Sequence, residues 1–136
     1  MPIEDDHAIK EILTHAKTIA VVGASEKPWR DSNRIFLFLQ QKGYNVIPVN
    51  PAYREVNGVK CFPALQSIEE TIDVVDVFRN SDAVGEVVTD AIAAHANVLW
   101  LQLGVVNNEA ARQAAAAGMQ VVMDRCIAVE YARLMK

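Results

Sequence analysis

The sequence predicts a doubly wound α/β fold, a mainly parallel Rossmann-like sheet of five or six strands with helices on both faces. Three observations carry this expectation. Short apolar runs alternate with helical patterns along the whole chain. The runs are continuous rather than alternating apolar and polar, as in strands covered on both faces. Several stop at turn residues, at Gly23, Asn50-Pro51 and Gly104. The 136 residues suit one domain with a buried core, and the whole chain is expected to form it.

The elements follow in order. Ile9, Ile12, Leu13 and Ala16 recur at helical spacing in a first, mostly polar helix. Thr18 to Val22 is a buried strand ending at Gly23. Ser32 to Lys42 carries Ile35, Phe36, Phe38 and Leu39 on a helix closed by Gly43. Asn45 to Val49 is a second strand. Pro48 within it cannot donate to a ladder, which weakens the case for that strand. Tyr53 to Gly58 is expected as a turn-rich loop, Val59 to Phe62 as a short strand, and Ser67 to Thr71 as a helical turn. Val74 to Phe78 is a strand, and Ser81 to His95 a helix. Val98 to Leu103 is a strand, followed by a helix from Asn107 to Ala117. Gln120 to Met123 is the last strand, and Ala128 to Leu134 a closing helix.

Composition narrows the function. The formal net charge of -4 argues against a nucleic-acid binder that works through a broad basic surface. No apolar run reaches the roughly 18 residues of a membrane span. Met1 to Lys10 carries Glu4, Asp5 and Asp6 without the pattern of a signal peptide, so a cytoplasmic protein is expected. Cys61 and Cys126 form no CxxC motif and are expected as free thiols. His7, His15 and His95 show no metal-ligand spacing, and no metal is expected. A homodimer is compatible with the sequence, two-fold dimers being the commonest oligomers.

In an open α/β sheet, ligands bind beyond the C-terminal ends of the strands. Gly23-Ala24-Ser25 is the strongest candidate. Gly23 lets a ligand approach the backbone, and free N–H groups at the following helix start can hold a phosphate. Ser25 can add a hydroxyl, and Lys27, Arg30 and Arg34 positive charge. A dinucleotide fingerprint starting at Gly23 would need glycines where Ser25 and Pro28 stand. Strand two ends in Asn50-Pro51, where NAD sites carry an acidic residue, so NAD is disfavoured. Asn50 is either a ribose or base contact or a plain strand terminator. Phe78 reads as a stacking ring or a core aromatic. Arg79 fits a core less well.

No catalytic constellation emerges. Ser25 has no histidine at a neighbouring strand end. Tyr131 and Lys136 are not spaced as a reductase Tyr-x-x-x-Lys pair. Cys126 follows Arg125, which could activate it, although a lone cysteine after a strand is more often inert.

Five motifs then occur in one order. They are Val21-Val22-Gly23-Ala24-Ser25, Val49-Asn50-Pro51, Val74 to Arg79, Trp100-Leu101-Gln102-Leu103-Gly104, and Asp124-Arg125-Cys126 with Glu130. This set resembles the small bacterial and archaeal CoA-binding proteins of the YccU-like family. More distantly it is similar to the CoA-binding domain of the succinyl-CoA synthetase alpha subunit. The resemblance runs from about Ile9 to Leu134. It implies coenzyme A as the ligand. The Gly23-Ala24-Ser25 loop would hold the pyrophosphate, and Asn50-Pro51 would border the adenosine. Val77-Phe78-Arg79 would line the adenine side. Lys27, Arg34 or Arg54 would meet the 3′-phosphate, and Gln102 is counted with the ligand residues. The synthetase carries its phosphorylated histidine beyond this unit, so the resemblance supports binding more than catalysis. Two enzyme readings stay open: an acyl-CoA or thiol-handling enzyme using Cys126, and an NAD(P)-linked reductase.

Overall fold

The computed structural model describes residues 2–136. Strands β1 (Thr18–Val22) and β2 (Asn45–Val49) are followed by the short β3 (Glu55–Val56) and β4 (Val59–Lys60). Then come β5 (Val74–Val77), β6 (Val98–Leu101) and β7 (Gln120–Met123). The helices are α1 (Asp6–His15), α2 (Asp31–Gln41), α3 (Val84–Ala93), α4 (Asn108–Ala116) and α5 (Ile127–Leu134). Five strands make one parallel sheet in the order β2-β1-β5-β6-β7, which is the expected doubly wound architecture. The order reverses between β1 and β5, so the crevice beyond those two strand ends is where this fold places a ligand.

The period of two along each strand divides the core. Ala20, Val22, Val75, Val77, Leu99 and Leu101 face Val84, Val88, Ala91, Ala110 and Ala114 of α3 and α4. Ile19, Val21, Val74, Trp100 and Val122 face Ile9, Leu13, Phe36, Leu39 and Ile127 of α1, α2 and α5. The three central strands, β1, β5 and β6, are therefore buried along their whole length. One of their residues breaks the apolar pattern. Asp76 lies between Val21 and Trp100 in the sheet register. It is fully buried, and neither carboxylate oxygen has a hydrogen-bond partner among the described residues. Burial holds its carboxyl well above the usual range.

Pro48 is accommodated because β2 is an edge strand. Its carbonyl accepts from Phe62 N (3.0 Å) on the outer side. Its nitrogen points the same way, so no bond to β1 is lost. The expected strand from Val59 to Phe62 is corrected. Val59–Lys60 pairs antiparallel with Glu55–Val56, and Phe62 makes a single parallel bridge to Val49. The turn is Asn57-Gly58, with φ of 50° and 80°, the conformation a two-residue hairpin needs. A Cβ at Gly58 would meet nothing within 4 Å, so only backbone strain opposes a side chain there. Gly58→Ala should cost about 1 kcal/mol in urea denaturation; no loss would contradict the assigned turn.

Two further boundaries differ from expectation. The predicted helix from Ser81 to His95 opens as a 3₁₀ turn, Ser81–Ala83, and is α-helical only over Val84–Ala93. His95 has φ 57°, and Ala96 N bonds back to Ala91 O at 3.1 Å. This is a left-handed helix end with histidine in the place usually held by glycine. The helical turn expected at Ser67 to Thr71 lies earlier, at Leu65–Ser67. Among the described residues, no helix is long and apolar enough to cross a membrane.

Candidate functional site

The loop after β1 is built on close backbone packing. Phe78 N donates to Val22 O (2.8 Å) and Gly23 N to Val49 O (3.0 Å), so the ends of β1, β2 and β5 are tied together. Gly23 has φ +86°, and a Cβ there would lie 2.3 Å from Phe78 O. Only glycine fits, because the position demands both a left-handed backbone and empty space.

Past Gly23, Ala24 is fully buried, and its carbonyl accepts from Asn50 Nδ2 at 2.8 Å. Asn50 Oδ1 accepts from Ala52 N at 2.9 Å. Asn50 thus braces two loops and acts as a positioning residue. Ser25 Oγ accepts from Lys27 N at 3.1 Å, which leaves its hydroxyl hydrogen free to donate. Its carbonyl accepts from Asn33 Nδ2 at 2.8 Å. The same nitrogen reaches Asn57 Oδ1 at 3.1 Å, so the hairpin turn is locked to the loop. The sequence reading missed Asn33; its signal was a polar residue one turn into α2 among core-facing positions.

A cleft of about 520 Å³ opens over this loop. Gly23, Ser25 and the first residues of α2, Asp31 and Ser32, form its floor. Lys27, Arg30 and Arg79 bring positive charge, and Trp29, Tyr53 and Phe78 bring aromatic surface. Arg30 caps α2 with no side-chain hydrogen bond, and Asn33 N bonds to Arg30 O at 3.1 Å, which leaves the N–H groups of Asp31 and Ser32, two residues of the cleft lining, without a protein acceptor among the described residues. An anion is the ligand such a helix end favours. Trp29 is 70% exposed, so its ring is open to a ligand in the cleft. Trp29 and Tyr53 were not singled out in the sequence, since an aromatic in a polar loop carries no periodic signal.

The other expected residues fall as follows. Arg34 ion-pairs with Asp31 and donates to Trp29 O at 2.8 Å, so it holds the loop's far side and lines an adjoining groove. Pro51 lines a separate, smaller hollow. Val77 is fully buried in the core and does not line the cleft, because alternation turns it away while Phe78 and Arg79 reach it. Arg54 is exposed and lies outside the cleft lining. Gln102 lies in the adjoining groove, with Phe78, Arg79 and Cys126. Arg125 Nη1 donates to Glu130 Oε1 at 2.6 Å; its charge is held by Glu130 within a network that also joins Arg133 and Asp6.

The parallel sheet and the cation-lined cleft at its switch point define a doubly wound, Rossmann-like α/β domain. Residues 17–132 match the family described as CoA binding domain, and the chain belongs to that family. It is 44% identical over 124 residues to the protein YneT of Bacillus subtilis (strain 168), covering 91% of this chain and 92% of that one. The solved structure of a protein from Pyrococcus horikoshii OT3 superposes with a TM-score of 0.96 at 44% identity, covering 100% of this chain and 97% of the other. Acetate–CoA ligase [ADP-forming] I of Archaeoglobus fulgidus is 38% identical over 64 residues, which are 47% of this chain and 9% of the ligase.

Proposed function

We propose that the protein binds coenzyme A, or an acyl-CoA, in the cleft over Gly23 and Ser25, as a binding or carrier module with no catalysis of its own. The observation that carries this reading is the conjunction at one strand-end crevice. A glycine-only backbone approach, an uncapped helix N-terminus and three cations meet there. The family to which the chain belongs supplies the ligand class. Its likeness to ADP-forming acetate–CoA ligases points the same way.

Each part of the nucleotide has a suitable partner. The pyrophosphate sits over the Gly23–Ser25 loop, within reach of the Ser25 hydroxyl and the first turn of α2. Lys27, Arg30 and Arg79 neutralise charge in a chain that is acidic overall. Trp29 or Tyr53 offers a face to the adenine. The acidic residue that NAD sites use for ribose is replaced by Asn50, whose amide is engaged with Ala24 O and Ala52 N.

Titration calorimetry with CoA, dephospho-CoA and NAD tests this. CoA should bind at least about tenfold more tightly than dephospho-CoA or NAD. Arg30→Ala and Arg79→Ala should each weaken CoA by about tenfold, the 1.4 kcal/mol of one charge-assisted contact. No CoA binding at millimolar concentration contradicts the proposal.

A further inference from the structure

A second groove of about 480 Å³ continues from the cleft. The two share Asp31, Phe78 and Arg79, so they form one trough across the C-terminal ends of β1, β5 and β6. The far part of the trough holds Ile35, Leu103 and Val105 as apolar surface, with Gln102 and Cys126 at its end.

Gln102 is 5% exposed. Its Oε1 accepts from Ile127 N at 3.1 Å, which fixes the amide plane at the start of α5. Its Nε2 donates to no protein atom among the described residues, although the side chain is more than nine-tenths buried in the groove wall. The nitrogen itself opens into the groove, where an acceptor can take its hydrogen bond, while the bonded Oε1 keeps the amide in place. Cys126, adjacent to Ile127, is a half-buried free thiol. The loop carrying it is fixed on both sides: Arg125 O accepts from Trp100 Nε1 (2.8 Å), and Asp124 Oδ1 accepts from Gly104 N (2.7 Å).

From this, and resting on the CoA reading above, we infer that Cys126 is a thiol–disulfide exchange site for CoA disulfides, with Gln102 as the amide donor that orients the incoming arm. Length agrees with this placement. The trough from β1 to the β6–β7 end crosses two to three strand spacings, about 10–14 Å. The pantetheine arm has as many chain bonds as about four peptide residues, so it extends about 14 Å. With the pyrophosphate over Gly23, the sulfur arrives at Cys126. The arm's amide carbonyls accept from Gln102 Nε2, and its methyl and methylene groups lie on Ile35, Leu103 and Val105.

The step balances without an added oxidant. The Cys126 thiolate attacks one sulfur of a CoA disulfide, and the Cys126–CoA disulfide forms as the old S–S bond breaks. The second CoA leaves as a thiolate and takes up the proton that Cys126 gave up. Any CoA-thiol mixed disulfide reacts in the same way and releases its other thiol.

Intact-protein mass spectrometry after incubation with CoA disulfide tests the inference. One CoA per chain should add, and dithiothreitol should remove it. The rate should exceed that with glutathione disulfide by at least tenfold, and desulfo-CoA should suppress it. Cys126→Ser should form no adduct. Cys61, 6% exposed and bonded through its sulfur to Asn50 O, should stay unmodified. Gln102→Leu should slow the CoA reaction severalfold and leave the glutathione reaction unchanged. If reduced CoA binds by calorimetry but no adduct forms at Cys126, or it forms no faster than with glutathione disulfide, the exchange site is wrong and the CoA reading stands. If CoA does not bind at all, both fall.

Discussion

Gly23→Ala is expected to destabilise the protein by about 2–5 kcal/mol and to lower CoA affinity more than tenfold. Part of the loss is the left-handed backbone, worth about 1–2 kcal/mol for a residue with a Cβ. The rest is overpacking, about 1–3 kcal/mol, because the new Cβ would lie 2.3 Å from Phe78 O. The carbonyl cannot retreat freely. Phe78 N is held to Val22 O at 2.8 Å, and the strand behind it is buried. The collision would therefore spread the β1 and β5 ends, the same atoms that form the floor of the cleft. Gly118→Ala is the matched control. Its φ is +92°, yet a Cβ there meets nothing within 4 Å. It should cost only the backbone strain and leave CoA affinity intact. Urea denaturation and calorimetry on both variants decide the matter; equal losses at the two sites would contradict the close-packing account of Gly23.

The second large effect is expected at Asp76. Its folded carboxyl titrates well above the usual range because burial disfavours the charged form. The folded protein therefore keeps this proton at pH values where the unfolded chain, near 3.9, has already lost it. Stability should fall as pH rises from about 4, by about 1.4 kcal/mol per pH unit, until the buried carboxyl itself ionises. Asp76→Asn keeps the shape and removes the titration, so it should be more stable than the parent at neutral pH by a margin that grows from pH 5 upward. Glu130 acts in the opposite sense. Its hydrogen bonds to Arg133 and Arg125 hold its carboxyl below the usual range. The stability it contributes is lost as pH falls into the acidic range, outside the window that isolates Asp76. Parallel slopes for parent and variant in urea denaturation between about pH 5 and 7 would overturn this account.

The parallel sheet was legible because its strands are covered on both faces. Val21, Val22, Val74 and Val75 leave an unmistakable apolar run, and Gly23 and Asn50-Pro51 end two of them. The β3–β4 hairpin was not, since strands of two residues show no periodicity; only Asn57-Gly58 marked it. His95 was placed inside a helix because nothing in its chemistry announces a left-handed position. The loop at Gly23 was located from sequence, but its construction was not. That Asn50 braces Ala24 O, or that Asn33 links Ser25 to Asn57, depends on distances between residues 24 or more apart in the chain. The same holds for Val77 and Phe78. They are neighbours in sequence, and the pleat sends one to the core and the other to the cleft.

The most direct test of the central claim follows backbone amides by ¹⁵N NMR during titration with CoA. Gly23, Ser25, Lys27, Asp31, Ser32 and Arg79 should shift together and saturably, with Gln102 and Ile127 following as the arm settles. Shifts confined to the opposite end of the sheet, around Glu11, Asp73 and Gln120, or no shifts at millimolar CoA, would contradict a CoA site over the Gly23 loop.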